Sequence, residues 1–495
     1  MRRIRIHLVH PRKVGTIAPE IYGHFSEHIG GVFYDGLWVG RDSDVPNIRG
    51  FRKALVEKLR AIGPPVLRWP GGCFAETYDW RDGIGPVRPV RPNWWTPCDH
   101  RYESNAVGTH EFMDLCAQVG AKAYLAANLT SCTPLHVRNW MDYCLSPAGA
   151  TALAAERAEN GHPEPFDVPF WGVGNENWGG GGDMTPETYA HEFRRYSVVL
   201  RNMASSVELF ACGSNADDYH WTQEVMRTLA PSQRNLNGFA MHYYCGSAGD
   251  PLAFSREEWT RMLAQAQRME EILLRNWHIL CGHGMEKHAR LVVDEWGCWH
   301  PDGSGPSRGY NLFEQQSTMR DAMVTALTLN IFNRHCDKVR MANVAQLVNN
   351  LHCLFLARGD GFTVTPTYHV FDLFQGHMGA EAIETIVGGD DPDSGLSVSA
   401  SVKDGRTLVT IGKIMLSENL GDGVGRQRDS FKPRKMLAGS RAAYFWPCLF
   451  ERKNLVDQPL AGFLGLMVRT RTFGTQSFYT FFAIRFLPVV NHTIG

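Results

Sequence analysis

Two glutamates hold the chemistry that this sequence could perform. Glu176 ends the apolar run PFWGVGNE, and Glu295 ends ARLVVDE, more than a hundred residues later. A paired acid and carboxylate is what the cleavage of a glycosidic bond needs: one carboxyl protonates the leaving oxygen, the other attacks or activates water at the anomeric carbon. Other polar residues end or follow apolar runs in the same way. They are Glu27, Arg68, Asn175, His242, Tyr244, Asp294 and Gln346, with the turn Trp69-Pro70-Gly71-Gly72-Cys73 after Arg68. One such residue alone is an ordinary polar rim group. A polar end recurring on six separate runs reads as a shared site. Trp69, Trp178, Trp296 and Trp299 lie close to these ends in sequence, and flat apolar rings suit the C–H faces of a sugar. Asp294 is equally readable as a buried ion-pair partner, and each tryptophan as core.

Such residues need a scaffold that brings distant strand ends together. From about residue 16 to 375 a short apolar run, a polar loop and an amphipathic segment alternate. The runs are 17–25, 65–69, 121–129, 169–176, 207–215, 236–244, 289–297 and 338–346. Strands alternating with helices predict a parallel sheet, and eight near-continuous apolar strands predict a closed (β/α)8 TIM barrel. Such barrels place their chemistry at the C-terminal strand ends, where the polar residues above fall. After about residue 376 the period changes to two. Leu396, Val398, Ala400 and Val402 alternate with polar residues and lead into Lys403-Asp404-Gly405-Arg406, a hairpin signal. The expected organisation is an N-terminal strand (1–15) joining a C-terminal β-sandwich (376–495), with the catalytic barrel (16–375) between them.

Composition narrows the partners. The chain of 495 residues is 44% hydrophobic and 20% charged with a net charge of −1, so bulk electrostatics favours neither nucleic acid nor an anionic membrane. Twelve cysteines include no Cys-x-x-Cys pair, and most sit in apolar runs as small buried thiols. The glycine-rich WGVGNENWGGGG lacks the Lys-Ser/Thr of a phosphate-binding loop, and no His-Glu-x-x-His metal motif occurs. The basic start MRRIRIHLVHPRK alternates like a strand instead of opening a signal peptide, and Phe478–Val490 is too short for a bilayer. A cytoplasmic protein is expected.

The blocks GTIAPEIYGHFSEHIGG, LRWPGGCFAETYDWRDGIGP, WGVGNENWGGGGDMTPETYA, VVDEWGCWH and RMANVAQLVNNL resemble glycoside hydrolase family 51, whose typical members are intracellular α-L-arabinofuranosidases. The likeness runs in order from about residue 3 to about 410. It implies a clan A barrel with a sandwich built from the C-terminal region and the N-terminal strand, and no cofactor. Position by position it makes Glu176 the acid/base and Glu295 the nucleophile, and gives Asn175 the sugar 2-hydroxyl. Glu27, Arg68, Cys73, Tyr244 and Gln346 match positions lining a pocket for a terminal arabinofuranose. Trp299 matches a recognition residue, and Trp94 or Trp95 borders the leaving-group side. The implied substrates are arabinose-containing oligosaccharides, and family members commonly assemble as trimers or hexamers. Another clan A activity, a β-xylosidase or an endo-glucanase, is the competing reading among enzymes. A non-catalytic relative with a defective C-terminal domain competes from outside them.

The tail departs from this pattern. Residues 412–495 carry 12 Lys+Arg against 5 Asp+Glu, whereas the first 411 residues are net acidic. Period-two alternation stops there, and SFYTFFAIRFLPVV is an apolar run of high β propensity. Two readings stand: the coding frame or sequence changes near residue 411, or the domain has a divergent ending.

Overall fold

The computed structural model describes residues 4–95, 101–203, 207–231, 236–246, 249–301, 304–307, 309, 311–389, 395–413 and 482–485. Eight parallel strands close into a barrel. In chain order they are Gly23–Phe25, Val66–Trp69, Lys122–Ala127, Phe170–Val173, Glu208–Asn215, Gly238–Cys245, Arg290–Cys298 and Val339–Ala345. The last pairs with the first, Asn343 opposite Gly23 and Ala345 opposite Phe25. Each strand lies within or beside one of the eight apolar runs. The first is shorter than its run because Pro19–Tyr22 forms a 3-10 turn before it.

Alternation along each strand sends side chains inward and outward in turn. Val66, Tyr124, Phe170, Phe210, Ala240, Val292 and Met341 form one buried cluster, a residue from each of seven barrel strands, which plugs the interior. The outward residues pack on the helices in one continuous core. The long helix Arg256–Gly282 opens on a reciprocal cap between Ser255 and Glu258 and buries Met262, Met269, Ile272 and Leu273.

The appendage is an antiparallel sheet. Strand Ile4–Thr16 pairs with Glu381–Gly389, which pairs with Leu396–Lys403, then Arg406–Lys413 and Phe482–Arg485. Lys403 faces Arg406 across the two-residue turn, with Asp404 and Gly405 at φ of 51° and 70°, as a hairpin of this type requires. Among the described residues the appendage is this one sheet. The reading of residues 412–495 falls, apart from 412–413 and 482–485, outside them.

The sheet meets the barrel through the helix Met319–Arg334, buried over 320–333. This seam is polar. Asn330 donates to the Ser397 carbonyl at 3.0 Å and accepts from Ser399 and Thr410 hydroxyls at 2.8 and 2.7 Å. The serines that alternate with Val398 and Ala400 therefore face the barrel, while the apolar residues form a separate cluster with Ile383 and Val409.

Candidate active site

The strand ends converge as the sequence predicted. Glu295 lies within the seventh strand and is almost wholly buried. Its Oε1 accepts from Arg68 Nη1 at 2.7 Å and its Oε2 from the Tyr244 hydroxyl at 2.9 Å. Burial pushes its pKa up; the charges of His242 and Arg68 oppose that, and Glu176 adds to it. Glu176 follows the fourth strand at a φ of 43° and is the more exposed of the two, its side chain 21% accessible against 8% for Glu295. A non-glycine residue at positive φ is uncommon, and such geometry concentrates where a side chain must be aimed. One oxygen of each carboxylate and one His242 nitrogen all lie within 4.8 Å of one another.

The remaining residues of the predicted set are also here. Arg68 Nη2 donates to Asn175 Oδ1 at 2.6 Å, its guanidinium stacks 4.4 Å from the Phe25 ring, and its Nε lies 3.4 Å from Asp294 Oδ2. Cys73 Sγ lies 3.5 Å from Glu176 Oε2 and 3.8 Å from Asn175 Nδ2, so it touches both members of the Asn-Glu pair. Glu27 is clamped by Gln346: the Glu27 amide donates to Gln346 Oε1 at 3.0 Å, and Gln346 Nε2 donates to Glu27 Oε2 at 3.1 Å. Glu27 Oε1 accepts from Trp95 Nε1 at 2.9 Å. Burial and the nearby Glu295 push the Glu27 carboxyl up to about 7.

Only part of the tryptophan set belongs to the mouth. Trp69 and Trp296 are core, 0% and 1% exposed: Trp69 stacks on Phe112 and donates to His28 Nε2, and Trp296 packs edge-on to Phe332. Trp178 is half-buried with its Nε1 on the Gly213 carbonyl. Trp299 is 37% exposed and lies edge-on to both Tyr244 and Phe313, which in turn meets Trp95. Trp94, 41% exposed, is beside Trp95 in sequence.

Two positioning groups stand behind the carboxylates. His242 Nδ1 lies 2.9 Å from Glu176 Oε1 and 3.5 Å from Glu295 Oε2, and its Nε2 lies 3.0 Å from Asp294 Oδ1. Burial disfavours its charge, but the carboxylates of Glu295 and Asp294 outweigh that and lift its pKa to about 10. Asp294 also accepts from the Tyr124 hydroxyl at 2.8 Å, so it is a buried ion-pair centre holding both Arg68 and His242. A base whose pKa is raised on folding adds stability that is full below its unfolded value of about 6.5. That stability is lost as pH rises through the folded value of about 10. The excess stability of the wild type over His242→Gln, measured by urea unfolding, is therefore expected to be constant in mild acid and to shrink between those limits. A gap that widens with pH would contradict the assignment of charge.

The second group, Glu76, escaped the sequence reading. It sits in the 3-10 turn Cys73–Thr77 after the second strand, and its wholly buried carboxylate accepts four N–H donors. Oε1 takes the Asn175 amide at 2.6 Å and Asn177 Nδ2 at 3.1 Å; Oε2 takes the amides of Leu129 and Thr130, both at 2.8 Å. It ties the third and fourth strand ends together under Glu176. Its position within the block LRWPGGCFAETYDW was the only available signal. Glu76→Gln keeps the shape but turns one acceptor into a donor facing donors. We expect a loss of at least about 2 kcal/mol of stability, read as a lower melting temperature, with a clear fall in kcat as Asn175 and Glu176 shift. Unchanged melting and kcat would contradict this role.

Glu176, His242 and Glu295 are also spaced so that they could hold a cation. Their hydrogen bonds, however, already form a connected acid, base and histidine array.

A family model described as alpha-L-arabinofuranosidase 1 domain matches residues 58–252, and one described as alpha-L-arabinofuranosidase C-terminal domain matches residues 294–430. The second match runs past Ile411, where the motif likeness ends. An intracellular exo-alpha-L-arabinofuranosidase of Bacteroides ovatus is 38% identical over 384 residues, covering 75% of this chain and 73% of the relative. Alpha-L-arabinofuranosidase C of Emericella nidulans is 32% identical, covering 75% and 74%. The crystal structure of a GH51 arabinofuranosidase from Xanthomonas axonopodis pv. citri superposes with a TM-score of 0.78 at 36% identity, over 84% of this chain and 85% of that one. Barrel, paired carboxylates and relatives together make this a glycoside hydrolase. The chain belongs to glycoside hydrolase family 51, the α-L-arabinofuranosidases. Among the described residues no helix is long and apolar enough to cross a membrane.

Proposed function

We propose that this enzyme removes terminal, non-reducing α-L-arabinofuranosyl groups from arabino-oligosaccharides with net retention. The spacing of the two carboxylates carries the reading. Retaining glycosidases hold their carboxyl groups about 5–5.5 Å apart and inverting ones about 6.5–9.5 Å; the nearest oxygens of Glu176 and Glu295, within 4.8 Å of each other, support the closer arrangement.

In the first half-reaction Glu176, at the open side, gives its proton to the glycosidic oxygen while Glu295 attacks the anomeric carbon and the C–O bond breaks. Arg68 and Tyr244, one on each oxygen of Glu295, keep it ionised and aimed. In the second half-reaction Glu176 takes a proton from water, which attacks the anomeric carbon and frees Glu295. Asn175, turned by Arg68, holds the 2-hydroxyl. Glu27, Cys73 and Gln346 line the sugar pocket, and Trp299 stands at its rim. Supporting this substrate class, the relatives from Bacteroides ovatus and Emericella nidulans are named arabinofuranosidases.

A panel of chromogenic α-L-arabinofuranoside, β-D-xyloside and β-D-glucoside tests the assignment. Preference for the arabinofuranoside is expected, and preference for either pyranoside would overturn it. We further propose the division into N-terminal strand (1–15), barrel (16–375) and appendage (376–495), supported by the pairing of Ile4–Thr16 with Glu381–Gly389. A cytoplasmic location and a trimeric or hexameric assembly rest on family likeness; a stable monomer in light scattering would refute the assembly.

A further inference from the structure

A second cluster of ligand-type side chains shares no residue with the reacting carboxylates and His242. Cys298 ends the seventh barrel strand, Asp321 stands in the first turn of the helix Met319–Arg334, and His352 follows the eighth strand. Cys298 Sγ and one ligand atom from each of the other two lie within 4.8 Å of one another, and all three residues are fully buried.

The hydrogen bonds around them leave one vacancy. Asp321 Oδ2 accepts from the Thr318 amide at 2.8 Å and the Thr318 hydroxyl at 3.0 Å, which fills it. Asp321 Oδ1 lies 3.0 Å from His300 Nε2, and the Cys298 thiol also hydrogen-bonds the Asp321 carboxylate, so an ion would take the place of that thiol proton. Where the Thr325 hydroxyl gives its proton to the Asp321 carbonyl, 3.0 Å away, His352 Nε2, 2.6 Å from that hydroxyl, is the donor there. In neutral His352 the other nitrogen, Nδ1, is then a bare lone pair. It has no hydrogen-bond partner and points at Asp321 Oδ1 from 3.7 Å. That gap is too long for a hydrogen bond. It is close to the separation of two ligands on one tetrahedral zinc ion, about 3.3–3.6 Å from the usual bond lengths.

We propose that Cys298 Sγ, Asp321 Oδ1 and His352 Nδ1 bind a divalent, thiophilic cation, zinc above all. Binding releases the Cys298 thiol proton. Thiolate and carboxylate then cancel the ion's two positive charges around a neutral imidazole, so the buried cluster carries no net charge. His300 Nε2–H holds the ligating carboxylate from outside, as outer partners of metal sites do. Cys245 stands opposite Cys298 in the neighbouring strand. The ion has a structural role. It joins the seventh strand to the helix Met319–Arg334 and fixes the backbone on both sides of Trp299, which lies between Cys298 and His300.

The test uses the full chain purified with zinc present and passed through a mild chelator. About one zinc per chain is expected in the wild type and in His242→Gln, with little or none in Cys298→Ser and His352→Ala. Cobalt substitution of the wild type gives a readout that does not depend on a variant folding: a thiolate-to-cobalt charge-transfer band in the near ultraviolet, with intense visible bands of tetrahedral cobalt. Absence of stoichiometric metal, or cobalt bound without the thiolate band, would overturn the proposal. So would metal kept by Cys298→Ser but lost by His242→Gln, which would place the ion at the catalytic carboxylates.

Discussion

Replacing Glu295 by Ala is expected to lower kcat on a chromogenic arabinofuranoside by at least about 10⁴-fold, equivalent to about 5.4 kcal/mol of lost transition-state stabilisation. The loss is large because no other group in the site can form the covalent intermediate. Arg68 and Tyr244 both donate to Glu295, and the buried Glu27 is itself held by Gln346 and Trp95. Removing the carboxylate also opens a space at the anomeric carbon. Added azide should enter it and yield an arabinofuranosyl azide of inverted configuration. Residual activity above about a thousandth of wild type, after contamination is excluded, would contradict a nucleophilic role.

Glu176→Ala should behave differently, and the contrast is the stronger evidence. General acid catalysis is worth about 10²–10⁴-fold, but an aryl leaving group needs little protonation. Glycosylation by an activated aryl arabinofuranoside should therefore survive while hydrolysis of the intermediate slows. The covalent species then accumulates, and kcat and KM fall together. Azide, which needs no base, should restore turnover and give an azide of retained configuration. Loss of activity on natural oligosaccharides should far exceed the loss on aryl substrates. Equal losses on both, with no azide effect, would remove Glu176 from the acid/base role.

The barrel was legible because its physics is periodic. A strand buried on both faces must be an apolar run, and a polar residue ending such a run has few places to go except the mouth. Arg68, Asn175, Glu295 and Gln346 were found that way. Burial of a particular aromatic was not legible. Trp69, Trp296 and Trp299 are chemically alike and all close to strand ends, yet the first two fill core while the third stands at the rim. Glu76 lies in a 3-10 turn with no period to mark it, and only its four donors reveal its task. The positive φ of Glu176 likewise has no sequence signature. In the appendage the alternation predicted strands and the Asp404-Gly405 turn, but not that Ser399 would face the barrel. That choice depends on Asn330 and Asn333, more than sixty residues away. Cys298, Asp321 and His352 are separated by loops and become a cluster only when the seventh and eighth strands and a helix meet.

The covalent intermediate is the centre of the account, and trapping it is the most direct measurement. The wild-type enzyme is incubated with a fluorinated arabinofuranosyl inactivator, digested, and its peptides are compared by mass spectrometry. One arabinosyl adduct on the peptide containing Val292-Val293-Asp294-Glu295-Trp296, fragmenting to Glu295, with activity lost in step with labelling, is the predicted result. An adduct on Glu176, Glu27 or any other residue, or inactivation without an adduct on Glu295, would contradict it.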